Sequence, residues 1–146
     1  MKLNGIIIPA LLILCAGCAS MKDVVSHRSD AQEETFDISS DQAREIAKTV
    51  FRWQGADSVE DVQEIIEAES GWGFISWGDY GGVWITPVDG GHSRVSVYTL
   101  RRWPLCLGRN LDDSEFLELF ARAVHRVKKG QKLPDERPSF YGNIDI

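Results

Sequence analysis

Two stretches of the chain repeat apolar residues at helical spacing, and the stretch between them alternates. Ala43, Ile46, Ala47, Val50 and Phe51 recur at i, i+3, i+4, i+7 and i+8, which puts one apolar stripe on a helix. Ser39 followed by Gln42 has capping-box spacing, Asp41 lies in the first turn, Trp53 extends the stripe and Gly55 can end it. Phe116, Leu119, Phe120, Ala123, Val124 and Val127 form a second stripe. Asp112 with Glu115 caps that helix, Arg126, Lys128 and Lys129 lie near its C-terminus, and Gly130 ends it.

Between the helices the period falls to two. Residues 83–88 are β-branched and aromatic, as strands prefer, with Pro87 confined to an edge or a strand end. Asp89, Gly90, Gly91 and His92 form a hairpin turn, and Arg94 to Leu100 alternates as the partner strand. Val62 to Ala68 reads as a strand, with a short helix capped by Ser58 and Asp61 as the alternative. A turn at Glu69, Ser70 and Gly71 leads into a further strand at 73–77, and Asp79 to Gly82 reads as the next turn. Residues 103–110 form a connector. The expected fold class is α+β: an antiparallel meander of three or four strands with an N-terminal and a C-terminal helix packed on one face.

The first 37 residues follow neither period. Lys2 precedes an apolar run from Gly5 to Leu14, too short for the roughly 20 residues a bilayer span needs but suited to the core of a signal peptide. Cys15, Ala16, Gly17 and Cys18 follow. This order resembles the lipobox of bacterial lipoproteins, with Cys15 where that family usually has Leu. The resemblance implies cleavage before Cys18, a diacylglyceryl thioether on its sulfur and an acylated amino group. Ala19 is not the aspartate that retains such proteins at the inner membrane, which points to the outer membrane. Conventional cleavage after Ala19 is the rival reading. From Ala19 to Asp37 the chain is polar and poor in large apolar groups, as a flexible tether is. The expected organisation is a signal peptide at 1–17, a lipid-anchored tether at 18–38, a domain at 39–130 and an irregular tail at 131–146, in which Phe140 and Tyr141 can dock. In layout this resembles the small α+β domains of many bacterial envelope lipoproteins, a likeness that brings no catalytic residues with it.

Charge narrows the partners. The 146 residues carry a net charge of −6, and losing residues 1–17 removes Lys2 and makes it −7. Arg101 with Arg102 and Lys128 with Lys129 are isolated pairs, so no basic face offers itself to nucleic acid. With Cys15 removed and Cys18 acylated, Cys106 is the one free thiol, and with Leu105 and Leu107 beside it a buried position is expected.

The search for chemistry yields little. His27, His92 and His125 lack a second His or Cys at metal-ligand spacing, and no nucleophile elbow, zinc-protease motif or phosphate loop is present. No catalytic residue, cofactor or metal is assigned. The sheet's second face is more informative. If Ile85, Val95, Val97 and Thr99 face the helices, then Trp84, Thr86, Ser96, Tyr98 and Leu100 face away, joined by Phe74 and Ser76. Of these, Phe74, Trp84, Thr86, Ser96 and Tyr98 form a candidate contact face. The competing reading is that these aromatics complete the core. The expectation is a lipid-anchored cell-envelope protein, a non-enzymatic binding or accessory module that meets the membrane through Cys18 and an envelope protein through this face. A small-molecule or glycan-binding protein, or a rare hydrolase, is the alternative.

Overall fold

The computed structural model describes residues 19–71, 78–103 and 111–139. Helix α1 (Met21–Ser26) and a 3₁₀ turn (Arg28–Asp30) lead to strand β1 (Gln32–Phe36), and helix α2 (Ser40–Trp53) follows. Four strands come next: β2 (Ser58–Val62), β3 (Ile65–Glu69), β4 (Asp79–Val88) and β5 (His92–Arg101). Helix α3 (Asp113–Lys128) completes the set. The strands make one antiparallel sheet in the order β1-β5-β4-β3-β2. The α+β class and the antiparallel sheet between two helices are as expected; the sheet has five strands rather than three or four.

Both long helices form where their caps and stripes place them. The Ser39 hydroxyl accepts the Gln42 N–H, and the Gln42 side chain accepts the Ser39 N–H. Asp112 accepts the Glu115 N–H at 3.0 Å. The two stripes cover one face of the sheet, where Phe36, Ile66, Val83, Val95 and Val97 close the core beneath them. A tilted ring contact between Phe51 and Phe116 joins the two helices, and one between Phe36 and Phe120 joins α3 to the sheet, with centroids 4.7 and 4.8 Å apart.

Three expectations are corrected here. The segment read as a tether is folded from Met21 to Phe36: β1 pairs with β5 over five positions, from Gln32 opposite Val97 to Phe36 opposite Ser93. Its polar side chains leave room for this because an edge strand is held by backbone hydrogen bonds along one side and needs few apolar contacts. Asp79 to Gly82 is strand rather than turn, since Gly81 and Gly82 pair with Thr99 and Tyr98. The single strand read over 62–68 is split by a turn: Val62 ends the edge strand β2, which turns back through Gln63 at φ 49° into β3 at Ile65, and the alternative helix capped by Ser58 and Asp61 does not form.

The hairpin at Asp89–Gly91 forms as read, with Gly90 and Gly91 at φ 80° and 81°, where a side chain would be strained. Pro87 lies near the end of β4, beyond the last residue that β3 pairs with, so no ladder bond is lost on that side. Residues 131–139 contain neither helix nor strand and are tied down where the Trp53 indole donates to the Pro134 carbonyl at 3.0 Å. The strand expected at 73–77, Cys106 and the docking of Phe140 and Tyr141 lie outside the described residues.

Candidate functional site

The second face of the sheet is where sequence placed a contact surface, and alternation along β4 and β5 does send Trp84, Tyr98 and Leu100 there, opposite Val83, Val95 and Val97. The face is not open. Helix α1 lies across it, and Val24, Ile65 and Trp84 form a small second core with Met21, Ala31, Tyr80, Tyr98 and Leu100 around them. Val24 is 0% exposed and Trp84 3%. His27 stacks on Tyr98 with centroids 5.5 Å apart, and the Arg28 guanidinium lies 5.6 Å from the centre of the Trp84 ring. Ser96 donates to Glu33 of β1 at 3.2 Å, while Thr86 is exposed past the end of this cover. Phe74 lies outside the described residues. A contact face built on Trp84 and Tyr98 is therefore withdrawn: these aromatics complete a core, and the chain's own N-terminal segment covers them.

That cover is fastened at Ala19 and at the first turn of α1. The Ala19 N–H donates to the Arg102 carbonyl at 3.0 Å. The Ser20 N–H and hydroxyl both donate to the Asp23 carboxylate, at 2.7 and 2.8 Å, closing the first turn of α1. These bonds, the hydroxyl's foremost, hold the Asp23 carboxyl below the usual carboxylate range. Val24 then enters a space that exists because residue 82 has no side chain: a Cβ there would lie 2.9 Å from Val24 Cγ1. A six-residue helix is too short to persist alone, so these contacts decide whether α1 forms.

The point of attachment lies at one end of the sheet. The Arg102 side chain pairs with Glu69 and lies 4.7 Å from the centre of the Tyr80 ring. Arg101 and Trp103 beside it are half-buried. Asp79, 1% exposed, accepts the Leu111 N–H at 3.1 Å, and its own N–H donates to the hydroxyl of Ser70, which is 0% exposed. Gln54 donates to the Asp112 carbonyl at 2.9 Å and Thr99 to the Asp113 carboxylate. These buried polar groups escape sequence reading because Asp and Ser beside glycines look like solvated turn residues. Each joins a connection to the sheet or a helix start, and that is a bracing role.

Elsewhere the titration shifts follow surface ion pairs. Arg44 beside Asp61, and Lys128 beside Asp37, lower those carboxyls chiefly by hydrogen bonding, and Arg44 is raised in turn by Asp61. A groove of about 360 Å³ between α2 and the tail is lined by Thr49, Arg52, Lys132, Leu133, Pro134 and Asp135. The Thr49 hydroxyl is spent on the Glu45 carbonyl of its own helix. Among the described residues no group of three His, Cys, Asp or Glu side chains is placed to hold a metal, and no helix is long and apolar enough to cross a membrane. No protein-family model matches the sequence, and no curated protein matches it either.

Proposed function

We propose that the protein is a lipid-anchored component of the bacterial cell envelope, acylated at Cys18 and held on the periplasmic face of the outer membrane as a non-enzymatic binding or accessory module. The observation that carries this reading is the order of the first eighteen residues: one cation, an apolar run of about ten residues, then small residues ending in Cys18. Several acyl chains on one residue give a durable anchor where one chain gives marginal binding. The partner is sought on surfaces other than the one α1 covers.

Labelling with radioactive palmitate tests the anchor. The wild-type protein is expected to take up label and to sediment with outer membranes, and Cys18→Ser is expected to lose both properties. A wild-type protein that stays unlabelled and appears in the soluble periplasmic fraction overturns the reading.

A further inference from the structure

A lipoprotein is commonly pictured as a folded body at the end of a slack tether, and the polar composition of residues 19–37 invites that picture. The contacts of this segment oppose it. The N–H that Ala19 donates to the Arg102 carbonyl belongs to the peptide group linking Ala19 to Cys18. Adjacent Cα atoms are about 3.8 Å apart, so an acylated Cys18 begins within one residue of the sheet. Slack would require undocking α1, which strips Val24 from Trp84, and then peeling β1 from β5.

We infer that the end of the sheet bearing Ala19, Tyr80, Arg102 and Trp103 rests against the phospholipid headgroups, with the strands of the β4–β5 hairpin rising away from the membrane and the Asp89–Gly91 turn at the far side. The inference rests on acylation at Cys18. The occupant of this surface is the bilayer itself, because the acyl chains of the neighbouring residue must lie in it.

The side chains at this end suit the position. Tyr and Trp rings and long cations are the residues that favour the level of the headgroups, where an apolar body and a polar tip are both accommodated. Tyr80 stacks with Arg102, Trp103 and Arg101 are half-buried, and Lys22 is exposed in the first turn of α1. The opposite end presents charged groups and the basic C-terminus of α3 in place of these rings. Asp89 is exposed there, and Asp37 pairs with Lys128 at the C-terminus of α3, 2.5 Å apart, near His92. Ten-residue strands separate the two ends, a span of about 30 Å.

Two measurements on the mature acylated protein test this. In the first, single fluorescent labels are placed through Lys22→Cys or Asp89→Cys in a Cys106→Ser background. The protein is reconstituted in phosphatidylethanolamine–phosphatidylglycerol vesicles carrying a headgroup nitroxide quencher. The label at 22 is expected to be quenched several-fold more strongly than the label at 89. Equal quenching of the two labels on vesicle-bound protein, or stronger quenching at 89, overturns the orientation and leaves the anchor standing. Protein that fails to float with the vesicles overturns the anchor and this inference with it. The second measurement needs no substitution. Neutron reflectometry of the unlabelled acylated protein on a supported bilayer is expected to show a protein layer continuous with the headgroups. A water-filled gap of tens of ångströms between them overturns the proposal.

Discussion

Val24 of α1 and Gly82 of β4 occupy complementary space. The valine's Cγ1 stands 2.9 Å from the point where a Cβ of residue 82 would be, and Ile65 Cδ1 stands at the same distance. One position earlier, Gly81 does the same for the opposite layer, with Phe51 Cε1 2.8 Å from its missing Cβ. Two adjacent glycines thus let a helix come close on each side of one strand.

Gly82→Ala is expected to displace α1 without dissolving the main core. Overpacking of this kind costs about 1–3 kcal/mol, which exceeds the ~0.4–1 kcal/mol that a stiffer unfolded chain returns. Limited trypsin digestion reads the event directly, because Lys22 lies in the first turn of the helix and Arg28 just past its end. Cleavage there is expected to accelerate while far-ultraviolet circular dichroism stays close to wild type; unchanged cleavage contradicts the packing argument.

Trp84→Ala is expected to destabilise the fold by about 3–5 kcal/mol, the usual cost of removing a large buried aromatic side chain. Urea denaturation gives the value. A loss of about 0.5 kcal/mol or less, the range for surface substitutions, would mean that α1 does not cover the ring in solution.

Asp79→Ala leaves the Leu111 N–H without the carboxylate it donates to, in a place water does not reach. An unsatisfied buried donor costs about 1–3 kcal/mol. Asp79→Asn keeps an acceptor oxygen and is expected to lose less, so the order of the two variants in urea melts is the test. The reverse order removes the hydrogen bond as the explanation.

The Arg44–Asp61 pair makes stability depend on acid. Its carboxylate is hydrogen-bonded by Arg44, so the folded pKa of Asp61 lies below the unfolded value of about 3.9. The folded state then binds protons more weakly than the unfolded state. The pair's contribution is complete above pH 5 or so and is lost as pH falls through the folded pKa. Both side chains are partly exposed, so the contribution is expected to stay within about 1 kcal/mol. Comparing wild type with Asp61→Asn at pH 7 and pH 3 by urea denaturation should show the two converging at the lower pH. A constant difference would assign the effect to something other than ionisation.

The two long helices were legible because each states itself twice, once in its cap and once in its stripe. The β4–β5 hairpin was legible from its alternation and from Asp89, Gly90 and Gly91. The direction of Trp84 and Tyr98 followed from the same alternation. What covers them did not, because α1 contributes one fully buried residue, Val24, and a single valine among polar neighbours has no period. Strands β1 and β2 were hidden for a related reason. Four of the five residues of each are exposed, since edge strands draw their stability from the backbone of a neighbour that sequence does not identify. Gly81 and Gly82 misled in the opposite sense: glycines that look like a turn serve here as clearance for Val24 and Phe51.

The strand order also bears on when the molecule can become itself. Among the described strands β1 is the first to leave the ribosome, and it pairs with β5, the last. Until Arg101 has followed, Gln32–Phe36 has nothing to bond to, and α1 has no floor to lie on. A chain that joins its earliest described strand to its latest stays unfinished through most of its own synthesis. Pairings so distant in sequence are slow to form. That delay leaves the edge of β5 unpaired until the first and last strands meet.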